Sequence, residues 1–197
     1  MPLLNKHFFL GIGTGVALTI FVLISGGVLI TKVVLDPAKL QQYIEAPPIP
    51  YTMPVDYNWT VQSLDGRYLK LEEVKGKAVF LNFWATWCAP CLAEMPSIQR
   101  LYEKTKDKGV VILCVTQEDY ETVSRFMSEK GYSFPIYLLR GNPPEVFKSD
   151  TIPSTFIFSP DGRVVFKHTG AAKWDDETTV SFLQSLVEQS PLTPTTR

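Results

Sequence analysis

The stretch AVFLNFWATWCAPC, residues 78–91, opens as an almost unbroken apolar run and closes on two cysteines with two residues between them. Such a run is what a strand buried on both faces of a sheet requires. A helix is expected from about Ala89, with Met95, Ile98, Leu101 and Tyr102 on one face and Pro96 as a kink. The cysteine pair therefore falls at a junction between a buried strand and the first turn of a helix.

Outward from this junction the same patterns recur. VVILCV (110–115) is a second buried strand, and Val123, Phe126 and Met127 stripe a second helix that stops at Gly131. Upstream, WTVQSLDGRYLKL alternates and turns at Asp65-Gly66, the pattern of a hairpin. Downstream, FPIYLL, TFIF and RVVFKH supply further strands, the last two joined at Asp161-Gly162. A final helix is expected near Asp175 as N-cap, burying Val180, Leu183 and Val187. The order hairpin, strand, helix, strand, helix, strand, hairpin, helix defines an α/β fold with a mixed central sheet flanked by helices.

The chain has 197 residues, with 19 basic against 20 acidic side chains, so its overall charge favours neither nucleic acid nor an anionic membrane surface. Residues 8–30 are uncharged and long enough to cross the hydrocarbon core as one helix. A cleaved signal peptide is the rival reading, but its apolar region is shorter and ends in a small-x-small site, which is absent here. The expected organisation is a cytoplasmic tail over 1–7, a transmembrane anchor over 8–30 and a proline-rich linker over 31–56. A folded domain over 57–189 and a flexible tail over 190–197 follow.

Three cysteines are too few for a disulfide-stapled scaffold, so Cys88 and Cys91 are read as chemistry. Unpaired N–H groups and the positive dipole end of the helix stabilise an anion, and Cys88 should ionise more readily than an ordinary thiol at about 8.5. Cys88 is then the nucleophile, and Cys91, one turn on, is placed to attack a mixed disulfide formed there. Pro90 suits the first helical turn, where its missing N–H leaves nothing unpaired. A zinc site would need two further ligands, and Cys114 and His168 lie in no second ligand cluster. A purely structural disulfide would close too small a loop to contribute much. Cys114 itself reads as a small buried hydrophobe.

The segments KGKAVFLNFWATWCAPCLAEMP and TIPSTFIFSPDGRVV together resemble the thioredoxin superfamily, and within it the TlpA/ResA/DsbE group of membrane-anchored thiol-disulfide oxidoreductases. The resemblance covers roughly residues 57–189 and implies a thioredoxin-like fold behind one N-terminal transmembrane helix. It assigns Cys88 as attacking and Cys91 as resolving thiol. It also implies a cis bond at Ile152-Pro153, with the Ile152 backbone binding an extended substrate beside the cysteines. Glu94 matches a glutamate that manages the resolving cysteine's proton, although a solvated helical carboxylate is the plainer alternative. Asn82 departs from thioredoxin, which carries a buried aspartate there. Trp87 is expected on the substrate-contact surface and Trp84 in the core. RGNPPEVFKSD (140–150) and GAAKWDDE (170–177) read as loops that select substrate.

The resemblance further implies an extracytoplasmic catalytic domain on a bacterial cytoplasmic membrane, with no cofactor. Expected partners are protein disulfides, apocytochrome c among them, and a membrane-embedded thiol-transfer donor. Disulfide oxidation or isomerisation is the enzymatic alternative. A metal-binding or redox-inert module is the non-enzymatic one, although the spacing is shorter than the C-x-x-x-C of related copper chaperones.

Overall fold

The computed structural model describes residues 53–189, so the expected anchor and the C-terminal tail lie outside the described residues. Eight strands form one sheet: β1 (Met53–Pro54), β2 (Thr60–Ser63), β3 (Tyr68–Lys70), β4 (Ala78–Phe83), β5 (Val110–Thr116), β6 (Ile136–Arg140), β7 (Ser154–Phe158) and β8 (Arg163–Thr169). Among the described residues three α-helices accompany them: α1 (Ala89–Thr105), α2 (Tyr120–Lys130) and α3 (Glu177–Glu188). Their order across the sheet is β1-β8-β7-β4-β5-β6-β2-β3. β4, β5 and β6 run parallel, and every other pairing is antiparallel. The architecture is thioredoxin-like α/β, with the mixed sheet that the sequence pattern implies.

β4 and β5 lie at the centre, which is why their sequences read as continuous apolar runs. Within β4 the side chains still divide by face. Ala78 and Phe80 enter a core shared with Met95, Ile98 and Leu101 of α1, Val123 and Met127 of α2, and Leu183 and Leu186 of α3. Val79 and Leu81 enter the opposite core with Trp59, Leu113, Phe147, Phe156 and Phe158. A period of two along the strand thus feeds two cores, one under the helices and one under the loops. Asn82 breaks this apolar pattern, being fully buried and polar.

Three details differ from the sequence pattern. Met53–Pro54, inside the expected linker, pairs with β8 as an edge strand, and Val55 beyond it is buried. Proline is admissible there because an edge position leaves one side of the strand without a ladder partner. The last helix is capped by Asp176, whose carboxylate accepts the Thr179 N–H at 2.7 Å, while Asp175 pairs instead with Arg100 at 2.6 Å. Its buried face carries Leu186 rather than Val187, which only packs at the margin. Pro96 lies within α1, where the sequence places it, and is exposed.

The two hairpin turns are as expected: Gly66 and Gly162 both have positive φ, 86° and 80°, which a side chain would resist. None of the helices among the described residues is long and apolar enough to cross a membrane.

Candidate active site

β4 ends at Phe83, and the chain turns through Ala85–Trp87 into α1. Cys88 is the N-cap of that helix, in extended backbone conformation, and the Cys91 N–H points to its Sγ at 3.2 Å. The two sulfurs are joined as a disulfide. Cys88 is 5% exposed and Cys91 is completely buried, so a substrate sulfur arriving from solvent meets Cys88. When Cys88 is a thiolate, the same N–H is a ready hydrogen-bond donor to it, at the end of the helix where negative charge is favoured.

Opposite the cysteines lies the start of β7. The Ile152-Pro153 bond is cis, and the Ile152 carbonyl oxygen is 3.8 Å from Cys88 Sγ. The Pro153 carbonyl accepts the Gly170 N–H at 2.9 Å, tying this loop to the end of β8. Trp87 projects beside the pair and is 74% exposed, whereas Trp84 is buried in the helix-side core. Pro90 is exposed in the first turn of α1. Trp87 and Ile152 border a cleft of about 580 Å³, whose far wall is formed by Phe147, Lys148, Ser149 and Asp150 of the 140–150 loop.

Glu94, for which a solvated helical carboxylate is the alternative reading, is 1% exposed. Its Oε1 accepts from Asn82 Nδ2 at 2.9 Å. Its Oε2 accepts from Trp174 Nε1 at 2.8 Å and from the Ala172 N–H at 3.2 Å. Burial pushes the Glu94 carboxyl above its ordinary value, and these three donors only partly offset that rise. Asn82 also bonds Thr155 Oγ1 at 2.9 Å. Cys114 stands beside Asn82 in the β4–β5 register, fully buried, and burial with the nearby Glu94 charge pushes its thiol well up. It is an inert thiol in this setting.

Two contributors carry no signal in the sequence. Glu118, just past β5, accepts from both the Thr86 N–H and the Thr86 hydroxyl at 2.6 Å, clamping the turn that delivers Trp87 and Cys88. Trp174 reaches Glu94 across a sequence separation of 80. Glu118 lies in no motif, Trp174 lies in the 170–177 loop but is buried against Glu94, and only the folded chain brings them to the site. No group of three His, Cys, Asp or Glu side chains able to hold a metal ion occurs among the described residues.

The profile of the AhpC/TSA family matches residues 57–167. The ResA thiol-disulfide oxidoreductase of Halalkalibacterium halodurans is 40% identical over 115 residues, an alignment covering 57% of this chain and 65% of that protein. The ResA of Bacillus cereus is 36% identical over 137 residues, covering 68% of this chain and 73% of the relative. Among solved structures, a thiol:disulfide interchange protein of the thioredoxin family from Chlorobium tepidum superposes with a TM-score of 0.56. At 21% identity, over 70% of this chain and 97% of that one, it speaks for the fold alone. Family profile, relatives and the capped cysteine pair agree, and the chain belongs to the AhpC/TSA family, among its ResA-like thiol-disulfide oxidoreductases.

Proposed function

We propose that the protein is a membrane-anchored reductase of protein disulfides, held by residues 8–30 with its catalytic domain on the extracytoplasmic face. The observation that carries the reading is Cys88 Sγ at the helix start, facing the Cys91 N–H and the Ile152 carbonyl, with Cys91 buried behind it. The ResA relatives support thiol-disulfide exchange as the chemistry. An oxidising outer compartment, where soluble thioredoxin is absent, gives a tethered reductant a distinct task.

The Cys88 thiolate attacks one sulfur of a substrate disulfide. A mixed disulfide forms between Cys88 and the substrate, and the first substrate thiolate leaves and takes a proton. The Cys91 thiol passes its proton to Glu94, and its thiolate attacks Cys88 Sγ. The second substrate thiolate leaves, and the Cys88–Cys91 disulfide closes. The substrate has gained two electrons from the dithiol and two protons, one passed from Cys91 through Glu94 to the second leaving thiolate and one from water, which had taken the Cys88 proton on ionisation. A membrane-embedded thiol-transfer partner restores the dithiol. The Ile152 backbone and Trp87 hold the substrate segment against Cys88, and Glu118 keeps the Thr86–Trp87 turn in place. An apocytochrome c with an oxidised C-x-x-C-H pair is the proposed physiological substrate.

The test pairs two variants of the full chain. Cys88→Ser abolishes reduction of insulin disulfides, whereas Cys91→Ser traps mixed disulfides through Cys88. Apocytochrome c or a maturation factor among the trapped proteins agrees with the assignment. Turnover retained in Cys88→Ser would contradict the nucleophile, and a trap holding neither protein would contradict the substrate.

A further inference from the structure

Glu94 is held in place from outside its own helix. Two of its three donors come from the segment 171–174, and that segment is fastened to the outer turns of α1. Ser97 Oγ accepts the Trp174 N–H at 3.2 Å, Arg100 Nε donates to Asp175 at 2.6 Å, and Lys104 Nζ donates to the Asp175 carbonyl at 2.8 Å. The indole is 3% exposed and lies edge-on to Phe80 at 5.2 Å and to Phe166 at 6.2 Å. Packing therefore fixes where its N–H points, and it points at a carboxylate one helical turn beyond Cys91.

We propose that Trp174 is a positioning residue for the dithiol: its indole N–H holds Glu94 in the orientation and ionised form in which the carboxylate takes a proton from the Cys91 thiol. The inference rests on the reading of Glu94 as proton carrier given above. The exchange balances simply. The Cys91 S–H bond breaks, the proton moves to a Glu94 oxygen, and the electron pair left on sulfur forms the bond to Cys88 Sγ. Glu94 later releases the proton to the departing substrate thiolate or to water.

The surroundings make the indole a sensitive point of control. Burial raises the Glu94 carboxyl, while the Trp174, Asn82 and Ala172 donors lower it. No lysine or arginine is among these hydrogen-bond partners. The other titratable groups nearby are Cys91 on α1, Cys114 on β5, which feels the Glu94 charge, and His168 on β8, whose ring lies 5.6 Å across Trp174. Farther along α1 and the 171–174 segment stand Arg100, paired with Asp175, and the exposed Lys173. A hydrogen bond to a charged group corresponds to roughly one to two pH units. Losing the indole donor should thus raise the Glu94 titration further.

The experiment uses the reduced full chain in detergent, with glutamate carboxyls labelled for carbon NMR and the Glu94 signal assigned by its loss in Glu94→Gln. Trp174→Phe keeps an aromatic ring and removes the N–H. The expected result is a Glu94 midpoint higher by about one pH unit. The inflection in the pH dependence of the dithiol potential, measured against glutathione, should move upward with it. An unchanged Glu94 midpoint overturns the proposal, and so does a shifted midpoint with an unmoved inflection. Glu94→Gln separates the two levels. If it leaves the inflection in place, the proton-carrier reading fails and the inference falls with it; if it removes the inflection while Trp174→Phe does not move it, the inference alone fails. Should Trp174→Phe lose its near-UV signature of native packing, Ser97→Ala serves instead, because it frees the Trp174 backbone and keeps the indole. A smaller shift of the same sign then supports the proposal, and none overturns it.

Discussion

Glu94 shows what one residue's surroundings do to its chemistry. Three neutral donors satisfy a carboxylate that is almost wholly removed from water, and burial raises it above its ordinary value despite them. The consequence for stability has a definite sign. In the unfolded chain a glutamate releases its proton near pH 4.3, about where model peptides do. The folded value is raised, so this group's contribution is complete below the unfolded value and is lost as pH rises through the folded one. In the oxidised protein, wild type should therefore lose stability relative to Glu94→Gln across that window, by at most about 1.4 kcal/mol per pH unit. Urea unfolding of both proteins at a series of pH values checks this, and parallel curves would contradict it. The sequence marks Glu94 by its place three residues after Cys91, but not its burial. The residues that bury it, Ala172 and Trp174, lie 78 and 80 positions away. Cys88 and Cys91 were legible because their spacing and helix-start position are local facts.

At the scale of elements, what can be read in advance follows the range of the interactions that decide it. β4, β5 and β7 announce themselves through runs of apolar residues, since central strands are buried on both faces. The Asp65-Gly66 and Asp161-Gly162 turns are equally local. β1 is different: two residues, one of them proline, become a strand only because β8 offers an edge to pair with. The sequence pattern places the cap of α3 one residue early because Asp175 and Asp176 are both chemically able to cap. Arg100, on another helix, decides between them by engaging Asp175. This distinction is measurable. Asp176→Ala should destabilise the fold by about 1 kcal/mol in denaturant titrations, the usual loss when a side-chain cap is removed. A loss below a few tenths would show that Asp176 is not the functioning cap.

For the whole molecule, the sheet assigns separate tasks to its two sides. All three helices pack on one face, where the cysteines, Glu94 and Trp174 gather. The other face is closed by Trp59, Phe147 and their neighbours beneath the loops. The cleft lies between the 140–150 loop and the Trp87 turn, beside Ile152; the proposed reaction brings a substrate disulfide to Cys88 from there, while Glu94 is buried and lines no part of it. The cysteines and the proposed proton carrier thus share the helix-covered face. The reductive direction is the central claim, and the equilibrium reduction potential of the Cys88–Cys91 pair against glutathione tests it most directly. A value near that of thioredoxin, about −270 mV, is predicted; a value near −120 mV, typical of a strong disulfide oxidant, would contradict it.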